Sequence, residues 1–413
     1  MAHLAALAAP RRGVLYVEPS FSLLRRAPAH CPPGQANPWL APRLAQRAPR
    51  LWTLAPPRGL PLWTHPAVSR LQHACYGAML RRAARRLGYG RVWLWLYNPL
   101  YVQAMDSLRP ERLILDLVDD LGAYEARAHS RRTTGACLER ALAQADLVLT
   151  TSALLAEAHA AKTRAGRLEV VPNGVRGEWI GRPAAEPPAE LRGLPRPWIG
   201  FVGAVSDYLD FELLVAAARR FAAGSLILVG PVRGGEGEKG AARLRRERNA
   251  HLLGHRPQER VPDYAAAFDV CLCPFRVGAV RRAVNPLKVY EYLAAGRPVV
   301  ATPLESLASE PVAAWIRFAE VEEAFLAAIA KELALERAGG APAAAERSAA
   351  RRRAVRPYAW ESISTRVASI LDRAEEAWAA GAGDRGPAAG AGDRSPAAAN
   401  GTPAGGVTGK ASR

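Results

Sequence analysis

Apolar and polar positions along the chain fall into two long series, in which short β-like runs alternate with helix-like stretches. The first series opens at residues 13–17, GVLYV, a β-branched and aromatic run that ends in Glu18-Pro19-Ser20, as a first βα unit does. Residues 27–68 are rich in Pro and Trp, lack periodicity and read as irregular, with one short strand at 51–54. Apolar residues Leu71, Cys75, Met79 and Leu80 share one side of a predicted helix at 69–87. Strands are predicted at 91–97 (RVWLWLY), 113–118 (LILDLV), 146–150 and 168–171, with helices at 123–145 and from Ser152 through 161 between them. The run at 182–196, RPAAEPPAELRGLPR, has Pro and charge without periodicity and reads as a linker.

The second series repeats the alternation. Strands are predicted at 198–202, 225–229, 251–253, 269–273 and 299–301, and helices at 211–221, 261–268, 287–295 and 321–336. Residues 233–240, RGGEGEKG, read as a flexible loop and 339–350 as an Ala/Gly/Pro break. A last amphipathic helix at 360–378 carries Ile363, Val367, Ile370 and Leu371 as its stripe. Beyond about residue 380 GAGDRGPAA recurs as GAGDRSPAA, a low-complexity tail expected to be disordered. Strands alternating with helices predict parallel sheets wrapped by helices, and 413 residues exceed one ordinary core, so two α/β domains are expected.

Composition narrows the class. No apolar run approaches the ~20 residues of a membrane span. In MAHLAALAAP-RR the arginines follow the short apolar run, the reverse of a signal peptide, which points to the cytoplasm. The five Cys lack paired metal spacing, and Cys271 and Cys273 read as small core residues of one strand face. Net charge is +18, and the first hundred residues hold fourteen Arg, no Lys and one acidic residue, Glu18. A one-sided field of that kind draws anionic partners, an anionic membrane surface among them. A GC-rich genome would also raise Arg, Ala, Gly and Pro. No recognisable nucleic-acid module interleaves aromatics with these arginines, so no specific nucleic-acid partner is expected.

The candidate chemistry gathers at predicted strand ends, where open α/β sheets bind ligands. The stretch 285–303, NPLKVYEYLAAGRPVVATP, starts with the Asn285-Pro286 turn, runs into a helix and stops at Gly296. Lys288 and Glu291 share one face near that helix start, where a cation, a carboxylate and free N–H groups suit a nucleotide-sugar. An ordinary i,i+3 ion pair explains the same spacing. Gly200 and Gly203 in IGFVGAV allow close backbone approach, although a tight turn also needs glycine and no GxGxxG fingerprint is present. His255, in LGHR, can border a base or simply face solvent. Arg276, Arg281 and Arg282 bring cations ahead of Lys288, or form a solvated face. Asp119 and Asp120 end a first-series strand and can hold or deprotonate a hydroxyl, or cap a helix.

Four of these stretches, in order, resemble a known family. DLVLTTSALLAE…LEVVPNGV (146–175), PWIGFVGAVSDYLDFELL (197–214), LLGHRPQERVPDYAAAFDVCLCPF (252–275) and NPLKVYEYLAAGRPVVAT (285–302) resemble the GT-B glycosyltransferases of the family 4-like group, and are similar to bacterial teichuronic-acid-type cell-surface glycosyltransferases. The resemblance implies two Rossmann-like domains facing across a cleft: an acceptor domain at 1–185 and a donor domain at 186–356. It also implies a terminal helix at 357–379 crossing back to the first domain, followed by the 380–413 tail. It implies a nucleotide-sugar donor, most readily UDP-linked, and a glycan or lipid-linked acceptor. Transfer would be metal-independent, usually retaining, and would need no cofactor. Carried over by motif, Glu291 would bond the donor ribose. Lys288 and nearby amides would face the diphosphate, Gly203 would lie against it, and His255 would border the base. Three departures qualify this. Ala283 stands where the family places the first Glu of a pair. SDYLDFELL lacks the family's Arg and Lys, which shifts weight to Lys288, Arg281 and Arg282. The Asp119-Asp120 pair stands where many relatives have a His. Loss of these groups leaves open a non-catalytic nucleotide- or partner-binding protein, or a GT-B nucleotide-sugar epimerase.

Overall fold

The computed structural model describes residues 7, 12–18, 42–57, 66–119, 128–164, 167–182, 186–276, 278 and 284–380, the side chains of 66–69 and 128–131 excepted. Three sheets form. In the first, β1 (Val14–Val17) is parallel and β2 (Arg43–Ala48) antiparallel to β3 (Leu51–Ala55). The second is wholly parallel, with β4 (Trp93–Leu96), β5 (Arg112–Leu117), β6 (Leu147–Thr150) and β7 (Leu168–Val170) side by side in chain order. The third uses β8 (Trp198–Val202), β9 (Ser225–Val229), β10 (Ala250–Gly254), β11 (Val270–Cys273), β12 (Val299–Ala301) and β13 (Ile316–Phe318). Their order is β10-β9-β8-β11-β12-β13, all parallel. This is a doubly wound order that reverses between β8 and β11.

The sequence pattern explains these choices. Strands β8, β9 and β11 are buried at every position and read as unbroken apolar or small-residue runs, as strands covered on both faces must. The Phe211–Arg220 helix buries Leu213, Leu214, Ala217 and Ala218 against that sheet, and Asp210 accepts from the N–H groups of Glu212 and Leu213 at its start. Gly200 admits the Phe268 ring, since a Cβ there would lie 2.0 Å from it. Close packing, rather than approach of a ligand, is therefore what Gly200 serves.

Several expectations change. Residues 233–240 are not a loop: a helix spans Gly235–Leu244. Its glycines are contact points, with Gly240 against the Phe211 ring and Gly237 against the backbone of Val205 and Ser206. Residues 339–350 are not a break, because a helix spans Gly340–Val355. Alanine favours the helix, Pro342 falls in its first turn, and buried Arg351 pins it by pairing with Glu336 at 2.7 Å and donating to Gly296 O at 3.2 Å. The irregular reading of 27–68 missed β2, whose exposed arginines hide its alternation. The linker reading also fails in part: Leu191 is fully buried in the core of the six-stranded sheet, as are Val175 and Trp179.

Residues 1–369 and 370–413 are two units. Within the first, Val175 N–H donates to Tyr358 O and Trp360 N–H to Val175 O, both at 2.9 Å. Just beyond, Arg366 Nη2 donates to Val170 O at 2.8 Å, so the start of the terminal helix lies on the second sheet's β7. That helix spans Trp360–Ala380, and the expected disorder at 380–413 lies otherwise outside the described residues. Among the described residues no helix is long and apolar enough to cross a membrane.

Candidate nucleotide-sugar site

Strands β8 and β11 pair only at Ile199–Val270 and Gly200–Cys271 and then part. The freed end of β8 is taken up by the Leu287–Ala294 helix, whose Tyr292 hydroxyl accepts from Val202 N–H at 2.8 Å. A crevice thus opens at the switch point, and its rim on one side is nearly bare of side chains. Gly203, Gly230 and Gly254 end β8, β9 and β10 in a row. Gly203 N–H donates to Val229 O at 2.8 Å and Gly230 N–H to Gly254 O at 2.9 Å. A Cβ on Gly230 would fall 1.9 Å from Gly203 O, so the two strand ends touch there.

Lys288 enters this crevice from the first turn of the helix. Its ammonium lies 4.7 Å from the Phe275 ring centre, 5.3 Å from that of Phe201 and 5.4 Å from that of Tyr208. Its stem passes within 3.1 Å of where a Cβ on Gly203 would be. Burial pushes the Lys288 pKa down, with Cys273 and Glu291 acting the other way. Three ring faces hold the cation, and among the described residues it has no ion pair, not even with Glu291. The ordinary i,i+3 pair allowed by the spacing therefore does not form. Pro286 provides no side-chain cap for the helix start, which leaves its dipole facing the same crevice.

Glu291 is half-buried in a small recess with Trp179, Arg182 and Pro262. Burial raises its carboxyl pKa, while Lys288 and Arg176 oppose the rise. His255 is exposed after β10. Its loop is fixed by Arg256, which donates to Leu253 O at 2.7 Å, to His255 O at 3.0 Å and to the Tyr264 hydroxyl at 3.0 Å. Asn285 is 3% exposed and bridges rather than lines: its Nδ2 donates to Thr151 O at 2.8 Å, while its carbonyl accepts from Asn173 Nδ2 at 2.7 Å. Thr151 Oγ1 in turn donates to Val118 O at 2.8 Å, which brings Asp119, the next residue, to the same junction. The structure thus gathers Gly203, Asn285, Pro286, Lys288 and Glu291 on one helix start and strand end. It places His255 at the far strand of the glycine row. Asp120, Arg281, Arg282 and Ala283 lie outside the described residues. Arg276 is engaged elsewhere, donating to Leu209 O at 3.2 Å. Among the described residues no three His, Cys, Asp or Glu side chains gather to share a metal ion.

Three features were not read from the sequence. The aromatic box around Lys288 comes from three distant segments. Gly230 directly follows the predicted 225–229 strand, and its place at a strand end beside Gly203 and Gly254 was a usable signal. In the second sheet, Trp95 Nε1 donates to Asp116 Oδ2 at 3.1 Å, and the Trp95 and Tyr97 rings stack at 6.1 Å. Burial pushes the Asp116 carboxyl from 3.8 up to about 7, with the Trp95 bond opposing. The folded chain therefore keeps this proton while the unfolded chain loses it. Stability is full below the unfolded value and falls as pH rises toward about 7. Asp116→Asn removes that loss and should be more stable than the parent by up to about 4 kcal/mol near pH ~8, with little gain near pH ~4. Melting curves of both proteins across that range test it, and a pH-independent difference would refute it.

Known proteins resemble the chain in the same regions. Residues 196–334 match the family described as Glycosyl transferases group 1. A protein of Bacillus subtilis (strain 168), TuaH, named for a glycosyltransferase role in teichuronic acid biosynthesis, is 32% identical over 170 residues. That match covers 40% of this chain and 43% of the relative, under half of either. Among solved structures, sucrose-phosphate synthase from Thermosynechococcus elongatus superposes with a TM-score of 0.63 at 19% identity, covering 90% of this chain and 91% of its own. An E. coli trehalose-6-phosphate structure bound with UDP-2-fluoro glucose gives 0.62 at 15% identity, covering 87% and 99%. Residues 196–334 are therefore a group 1 glycosyltransferase domain, carried in a GT-B fold.

Proposed function

We propose that the chain is a glycosyltransferase that moves a sugar from a nucleotide-sugar, of the UDP class, to a cell-surface glycan or lipid-linked acceptor. The observation that carries this is Lys288, a half-buried cation with no ion pair among the described residues, at the switch-point crevice. Breaking the sugar–phosphate bond puts charge on the departing diphosphate. Lys288 and the uncapped helix start neutralise that charge without a metal. Glu291 holds the donor ribose, the glycine row admits the phosphates, and the His255 loop borders the base. Asp119, and Asp120 beside it in sequence, hold the acceptor hydroxyl: its oxygen bonds the anomeric carbon as the sugar–phosphate bond breaks, and its proton passes to a carboxylate of the pair. Retention of configuration, the cell-surface acceptor and the UDP base are carried over from the resemblance and from the relatives. The division into an acceptor half and a donor half near residue 185 is carried over from the resemblance. The arginine excess of the first hundred residues would bring that half of the chain to an anionic membrane surface, on the cytoplasmic side.

A thermal-shift panel of UDP, GDP, ADP and dTDP tests the donor site. UDP at a hundred times its Kd should add ~2.7 kcal/mol of stability. No response to any of the four nucleotides would sink the assignment.

A further inference from the structure

Away from the crevice, the Pro66–Arg86 helix and the Met105–Leu108 turn enclose an open groove of about 700 Å³. Arg81, Arg82, Arg85 and Arg109 line it together with Ser107 and Asp106. Arg109 takes the left-handed conformation, φ 51°, at the end of the turn, an uncommon state for a side-chain-bearing residue. Among the described residues none of the four arginine side chains has an ion pair or hydrogen bond. Elsewhere arginines are habitually paired, as Arg91 is with Glu111 at 2.7 Å and Arg219 with Glu247 at 2.8 Å. The groove's one carboxylate, Asp106, is already held by Arg140 at 2.6 Å. Arg81 Nε is buried without a protein partner, a donor open to an incoming acceptor. Arg85 favourably ends a helix dipole, but that explains neither Arg81 nor Arg109.

We infer that this groove binds a phosphate group, separately from the donor crevice. Guanidinium forks match phosphate oxygens in pairs, and four of them around one groove exceed what a carboxylate would need. The phosphate can be that of a phospholipid headgroup or of a soluble phosphate compound, and both present the same oxygens. The inference does not depend on glycosyl transfer.

The test is calorimetric titration of the full chain with inorganic pyrophosphate. Wild type should bind at two sites. Lys288→Ala should keep the groove site, and the joint change Arg82→Gln, Arg85→Gln should weaken that site by about tenfold or more. Both of those arginines are exposed, so the fold tolerates the change, and an unaltered melting temperature checks this. Adding Arg81→Gln should abolish the site. Unchanged pyrophosphate binding in the double and triple variants would overturn the inference. A sedimentation arm with phosphatidylglycerol and phosphatidylcholine vesicles identifies the source. Selective loss of phosphatidylglycerol binding in the variants assigns a lipid phosphate, whereas loss of pyrophosphate binding alone assigns a soluble one.

Discussion

Lys288→Met is expected to lower the rate of donor turnover, kcat/KM, by roughly 10²–10³-fold, the usual cost of removing one preorganised charge at a leaving group. The same variant should melt at a higher temperature than the parent. The ammonium sits among the rings of Phe201, Tyr208 and Phe275 and, among the described residues, has no ion pair to offset its burial. Methionine keeps the stem's packing and discards the charge. Hydrolysis of the nucleotide-sugar in the absence of acceptor measures the first effect, and a melting curve the second. The paired readout separates function from structure, since a merely structural lysine would lose stability together with activity. Turnover within twofold of the parent would remove Lys288 from the mechanism.

Gly230→Ala should cost more stability than any surface change. A Cβ at that position meets Gly203 O at 1.9 Å and Gly203 C at 2.6 Å, and both are backbone atoms that no rotamer change can move. The residue also has φ 149°, a conformation that L side chains rarely adopt. Together these predict a loss of about 3 kcal/mol or more in chemical denaturation. Whatever folds should also bind nucleotide poorly, because the atoms pushed aside belong to Gly203, on the crevice rim. A loss below about 1 kcal/mol would mean that the two strand ends are looser than described.

The strand-and-helix rhythm was legible wherever a strand was buried on both faces, as at 198–202 and 225–229. It failed where polar residues do the packing. The Gly340–Val355 helix has no clean apolar stripe because buried Arg351 occupies its inner side, held by Glu332 and Glu336. The Gly235–Leu244 helix was hidden by glycines that look like breakers but admit Phe211. At the site, the spacing of Lys288 and Glu291 was plain, whereas the absence of a bond between them was not. Three aromatic residues far apart in sequence surround the Lys288 ammonium, and only the packed chain brings them there. Asp116 escaped notice for a related reason: in LILDLV a single carboxylate reads as a solvent-facing position, yet Trp95 covers it.

Val175 exchanges both its backbone bonds with the returning chain at Tyr358 and Trp360. The outgoing and returning passes between the four-stranded and six-stranded sheets therefore lie side by side and are stitched together. Two parallel ribbons joined along one line behave as a leaf hinge, which permits rotation about that line and resists sliding. The Asn285–Thr151 bond lies across the line as a latch between the residues just before the Leu287–Ala294 helix and just after β6. A swing that widens the crevice would have to break it, together with the Asn173 bond to Asn285 O beside it.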